Sequence, residues 1–293
     1  MAAAPPPARL ISPAQEPTAP AIAAAAAPLS RPRLFFWLVL VAALNGFSGT
    51  ALRIVPERGL AYAIFELFGI SAIVWAALAA SLALLRNAPA EPLRRWDWAV
   101  AGPVAVAALV PMATASALAL TGLGAWMIAT APRGSPIRRA GTIALAMTAT
   151  LLWGRILLAM FSGPLLAADT WLVGTVTGAP QAANLIALPQ ADGARIAVAP
   201  GCSSWQGMSL ALLFWVTVNQ YFRVPFGWRA AGWCALALAA TVAINVLRIA
   251  AMVRFPAHIP EIHHGYGWHI AMWSTLVAVA AICLWGARRE VFR

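Results

Sequence analysis

The sequence predicts an all-α polytopic membrane protein of about eight transmembrane helices, with a short β-hairpin in one outer-face loop. Three observations point there. The 293 residues are 62% hydrophobic and only 10% charged, against roughly half apolar and a quarter charged in a soluble globular domain. The apolar residues collect in stretches of about 20, the length that crosses a hydrocarbon core. The positive charges stand in ones and twos at the ends of those stretches.

Residues 1–30, "MAAAPPPARLISPAQEPTAPAIAAAAAPLS", are Ala/Pro-rich and of low complexity, which predicts a disordered cytoplasmic tail. They lack the basic, then apolar, then small-residue order of a secretory signal. Residues 31–293 form the membrane domain, with spans expected at 34–52, 60–85, 97–111, 114–131, 141–163, 203–222, 230–252 and 266–286. The third and fourth share an apolar run too long for one helix, and Pro111 divides it into two that fit the hydrocarbon thickness.

The arginines orient this map. All 20 basic residues are arginine, and they leave a net charge of +11. With the tail inside, the cytoplasmic side holds Arg31, Arg33, Arg86, Arg94, Arg95, Arg133, Arg138, Arg139, Arg223, Arg229, Arg288, Arg289 and Arg293. The outer side holds only Arg53, Arg58, Arg195 and Arg254. This is the positive-inside asymmetry, and it puts both termini in the cytoplasm. It also argues against nucleic acid as a partner, because the charge marks helix ends and forms no basic face. Tryptophans near helix ends, such as Trp37, Trp96, Trp205 and Trp268, fit interfacial belts.

The loop 164–202 is long, and "NLIALPQADGARIAVAPG" suggests two short strands around the Asp192-Gly193 turn. That hairpin delivers Cys202 to the outer end of the sixth span. Arg248, about 18 residues into the seventh span at roughly 1.5 Å each, reaches a similar depth. His263 and His264, in "EIHHGYGWHI", stand at the outer mouth of the eighth. A thiol becomes a nucleophile as thiolate, favoured by a helix N-terminus, a nearby cation or a base. The imidazole is suited to move the proton, and the guanidinium to hold an oxyanion.

Each residue also has a plainer reading. A cysteine at a helix end can be a small core residue, as Cys234 and Cys283 are expected to be mid-helix. Arg248 can snorkel to headgroups, and loop histidines can be merely solvated. Arg155, in the fifth span, is expected to form a structural ion pair with Asp169 or Glu66. The three cysteines show no CxxC and no disulfide framework.

At "GCSSWQG", "INVLRIA" and "IHHGYGW" the sequence resembles the exosortase/archaeosortase family of membrane cysteine transpeptidases. That family's pattern is a Cys-Ser-Gly or Cys-Ser/Thr-Ser context after an outer loop, Asn-x-x-Arg in the next span and a histidine before the last. The resemblance spans roughly residues 165–287, the expected catalytic part, and implies Cys202 as nucleophile, Arg248 as the essential arginine and His263 as the histidine. His264 is the alternative by one residue, His269 a more distant one, and Asn245, Ser203 and Arg254 are supporting candidates. Ser204 departs from the family, standing where many bacterial members have glycine.

The resemblance implies a membrane-embedded cysteine peptidase or transpeptidase in the inner membrane of a bacterium. It would cleave C-terminal sorting signals of exported proteins, each a short motif such as Pro-Glu-Pro, one transmembrane helix and a basic tail. It implies no cofactor and no metal; the partners are those substrates and the lipid bilayer. The rival readings are a transporter and a non-catalytic exopolysaccharide-export assembly protein. Transport is weakened by the near absence of intramembrane carboxylates, of which Glu66 alone qualifies, and by the lack of an internal repeat. A metalloprotease is disfavoured because no HExxH occurs.

Overall fold

A computed structural model of the chain describes residues 29–110, 112–191 and 193–291. The expected disordered tail, up to residue 28, lies outside them, as do the Pro111 break and Asp192 of the expected turn. Helices dominate the described residues. Five are long and apolar enough to cross a membrane: Arg31–Arg58, Ala113–Thr130, Pro136–Met160, Trp228–Arg254 and Tyr266–Gly286. The chain is a membrane protein.

In order, α1 spans Arg31–Arg58, α2 Leu60–Phe65, α3 Ala72–Arg86, α4 Arg95–Leu109 and α5 Ala113–Thr130. Then come α6 over Pro136–Thr148 and α7 over Gly154–Met160, joined through a π turn at Ala149–Trp153. The remaining helices are α8 Ser162–Thr177, α9 Ser204–Tyr221, α10 Trp228–Arg254, α11 Ile259–His263, α12 Tyr266–Gly286 and α13 Arg288–Val291. Strands β1 (Gln181–Ala182), β2 (Leu185–Ala187) and β3 (Arg195–Ala197) form one antiparallel sheet in the order β1-β2-β3.

Two expectations need correction. The span at 60–85 is not one helix: it breaks between Phe65 and Ala72, with Leu67 and Phe68 at positive φ and Ser71 capping α3 through its side chain. The segment 164–202 is not all loop: its first part continues α8, whose Leu166 and Val173 enter the same core as Cys202. The hairpin itself forms, with Ile186 opposite Ile196, and gains β1 as a third strand.

Two bodies of core result. α1, α3, α4, α5 and α6 share one apolar cluster. The crossing of α5 and α6 is close because Gly124 and Gly141 face each other: a Cβ on Gly124 would lie 2.9 Å from the Gly141 carbonyl oxygen. Small residues permit such approach where lipid supplies no hydrophobic drive for helix pairing. The second body packs α8, the sheet and α10 around Cys202, and α12 against α9 and α10. α9 touches both bodies, packing on α3 and α6 as well as on α10 and α12.

The first body is tied by charge. Arg31, fully buried, sends Nε to both Asp97 carboxylate oxygens (3.2 and 3.0 Å) and Nη2 to the Thr130 hydroxyl. Its Nη1 faces Glu91 at 3.5 Å. Asp97 also accepts from the Trp126 indole (2.8 Å) and the Arg94 backbone N–H (2.9 Å). A buried arginine is tolerated because carboxylates answer its charge, although its Nη1 makes no hydrogen bond among the described residues.

Candidate active site

The polypeptide reaches Cys202 through Pro200-Gly201 in a 3₁₀ turn, and Ser203 then caps α9 by accepting from the Trp205 N–H at 3.2 Å. The thiol therefore sits one residue before the cap, where the partial positive charge of the helix N-terminus is felt. It is 8% exposed.

Beneath it lies a buried carboxylate. Asp169 on α8, 4% exposed, accepts from the Ser203 hydroxyl (2.7 Å), the Ser204 N–H (3.0 Å) and the Ser204 hydroxyl. These three donors fix the start of α9 against α8. Arg155 is not Asp169's partner, and it forms no ion pair among the described residues. Arg155 is exposed on α7, whereas Asp169 is buried and takes its three hydrogen bonds from Ser203 and Ser204.

Asn245 and Arg248 are three apart on α10 and so share a helix face. Asn245 donates its amide to the Cys202 carbonyl oxygen at 2.8 Å, pinning the turn that carries the thiol. Arg248 lies over the Trp268 ring, its Cζ 5.3 Å from the centroid. Its Nε is buried without a hydrogen-bond partner, while its charge acts on both Cys202 and His263. An unanswered buried donor is costly, and this one belongs to a cation beside a thiol.

His263, at the end of α11, places Nε2 2.8 Å from the Cys202 sulfur. Its other nitrogen, Nδ1, is 2.8 Å from Nε2 of the exposed His264. When His263 Nε2 accepts from the thiol, its Nδ1–H donates to His264. That donation continues after the thiol proton has moved, which fixes the tautomer the base needs. Burial, the His264 ring and the Arg248 charge together hold the His263 imidazole below its ordinary pKa. The ring is thus kept neutral and able to take a proton at neutral pH.

The sequence-predicted residues therefore divide. Cys202, His263, His264, Asn245 and Arg248 come together, and Ser203 serves the helix cap and Asp169, with its hydroxyl occupied. Arg254 goes elsewhere: Gln190, in the amide orientation that satisfies both groups, donates to the Arg254 carbonyl (2.8 Å) and accepts from its guanidinium. That ties Arg254 to the loop between β2 and β3. His269, on α12, is exposed and makes no hydrogen bond among the described residues. Sequence reasoning missed the roles of Asp169 and Trp268. A lone carboxylate in an apolar stretch was the available signal for the first; interfacial placement explained Trp268 without reference to Arg248.

Among the described residues no group of three or more His, Cys, Asp and Glu stands close enough to hold a metal ion. No family model matches the chain, and neither a curated protein nor a solved structure matches it.

Proposed function

We propose that this protein is a membrane cysteine transpeptidase or peptidase of the exosortase/archaeosortase type. The observation that carries the reading is the 2.8 Å approach of His263 Nε2 to the Cys202 sulfur, beside an arginine whose buried Nε has no hydrogen-bond partner among the described residues. In this reading α1, α3, α4, α5, α6–α7, α9, α10 and α12 make eight crossings with both termini in the cytoplasm. The sheet and Cys202 then face outward from the inner membrane of a bacterium, where exported proteins arrive.

The geometry supports the following reaction. His263 takes the thiol proton, and the Cys202 thiolate attacks the carbonyl carbon of the scissile peptide. Negative charge develops on the carbonyl oxygen, and the Arg248 donors are there to receive it. His263 returns the proton to the leaving nitrogen as the C–N bond breaks. The resulting thioester on Cys202 passes its acyl group to water or to an acceptor amine. The substrate is an exported protein with a C-terminal sorting signal, held by its own transmembrane helix so that the cleaved bond lies at the membrane surface.

The test co-expresses a tagged exported protein carrying a Pro-Glu-Pro motif, a transmembrane helix and a basic tail with matched levels of the wild type and single variants. Wild type should shorten the substrate on an immunoblot. Cys202→Ala and His263→Ala should leave it at full length. Processing that survives Cys202→Ala would remove the thiol from the chemistry and leave the cluster architectural.

A further inference from the structure

Arg139 carries a charge that the described residues do not neutralise. It sits on α6 and is 6% exposed. Its Nε and Nη2 donate to the carbonyls of Gln220 (2.5 Å) and Tyr221 (2.7 Å) at the C-terminal end of α9. A helix C-terminus offers about half an elementary charge, and Arg139 has no carboxylate partner among the described residues. Arg31 shows how the same fold answers a buried guanidinium when it can, with Asp97 and Glu91.

The surroundings of Arg139 add positive charge. With Arg138, Thr142, Asn219, Gln220 and Arg223 it lines a cavity of about 300 Å³, and no acidic residue lines that cavity. Arg223 stands close enough for its charge to repel Arg139. It also adopts φ 57°, a left-handed conformation unfavourable for a residue with a side chain. The side-chain amides of Asn219 and Gln220 make no hydrogen bond among the described residues, so their donors are free. The hollow lies at the opposite end of α9 from Cys202, about 27 Å away at 1.5 Å per residue.

We propose that this cavity binds an anionic phosphate group, supplied by a lipid headgroup or by a free phosphate. The Arg223 and Arg138 guanidiniums can grip its oxygens with the charged donors that arginine presents. Arg139 adds the donors its two carbonyl bonds leave over, and the amides can complete the shell. The anion supplies the countercharge missing at Arg139 and lets Arg138 and Arg223 approach without mutual repulsion. This site is independent of the chemistry at Cys202.

The purified full chain in neutral detergent can be titrated with short-chain phosphatidylglycerol, short-chain phosphatidylcholine and inorganic phosphate, reading the unfolding temperature and bound ligand by native mass spectrometry. Phosphatidylglycerol should raise the unfolding temperature, and phosphatidylcholine should not. If inorganic phosphate binds equally well and competes, the site takes the free ion; if it does not, the headgroup is the ligand. Arg223→Gln should weaken binding roughly tenfold, the effect of one charge-assisted contact, and Arg138→Gln with Arg223→Gln should weaken it further. Arg133→Gln, an exposed neighbour outside the cavity, should bind as wild type does. Equal responses to the two lipids, or an equal loss with Arg133→Gln, would overturn the proposal, as would no binding of either anion. Arg223 is exposed, so its single variant carries the test even if the double variant folds poorly.

Discussion

Arg31 and Arg248 are both arginines on long apolar helices, and the protein treats them in opposite ways. Around Arg31, two carboxylates, a hydroxyl and the Trp126 indole close a network in which Asp97 alone takes Arg31, Trp126 and the Arg94 backbone. Both guanidiniums lie over a ring and keep one buried nitrogen without a hydrogen bond. Arg248, however, has no carboxylate partner among the described residues and stands instead by a thiol–imidazole pair. The first arrangement stabilises a bundle. The second leaves the charge without an acidic partner in the folded state, where it costs stability and remains available to a reacting group. Matching residue types thus tell little until their partners are counted.

Asp97→Ala should have the largest effect on stability, because it leaves Arg31 buried with its main partner gone. Breaking such a pair costs about 3–5 kcal/mol, measured as lost unfolding temperature in detergent and lower membrane abundance. Arg248→Ala should do the reverse. Its unfolding temperature should stay near wild type, while substrate processing falls about 10²–10³-fold, the usual loss for one oxyanion donor. A large drop in unfolding temperature for Arg248→Ala would erase the contrast between the two arginines.

Asp169→Ala lies between these cases. It removes the acceptor for Ser203 and Ser204, and unsatisfied buried donors cost about 1–3 kcal/mol. Both unfolding temperature and Cys202 alkylation should decline, because the cap that aims the thiol loosens. The smallest effect is a displacement along the pH axis. His263 is held low by burial, His264 and Arg248, so the neutral base persists as pH falls until that depressed pKa is crossed. His264→Asn removes one of the groups that depress it. The acid limb of Cys202 alkylation should therefore move to higher pH. An unmoved limb would separate His264 from the titration of His263.

Much of this was legible in the sequence, and the illegible parts share a cause. The apolar runs of α1, α10 and α12 announced themselves by length and hydropathy. Cys202, Arg248 and His263 were found because topology brings the ends of three segments to one level. The break after Phe65 was hidden because the turn is built from Leu67 and Phe68, residues that look helical or buried and take positive φ here. α8 was hidden because Gly163, Pro164 and Asp169 read as loop, whereas Asp169 turns inward to Ser203 and Ser204. Arg31 was readable as a topology marker and not as the hub of a network, since its carboxylate lies 66 residues further on. What escaped was the choice of partner, which three-dimensional packing decides.

The π turn before α7 has a mechanical consequence. The Trp205 indole N–H donates to the carbonyl of Gly154, the first residue after that turn, at 2.8 Å. Trp205 is three residues beyond Cys202 on the same polypeptide. One indole therefore joins the start of α7 to the first turn of the helix that follows Cys202, so the irregular turn and the thiol share a single rigid strut.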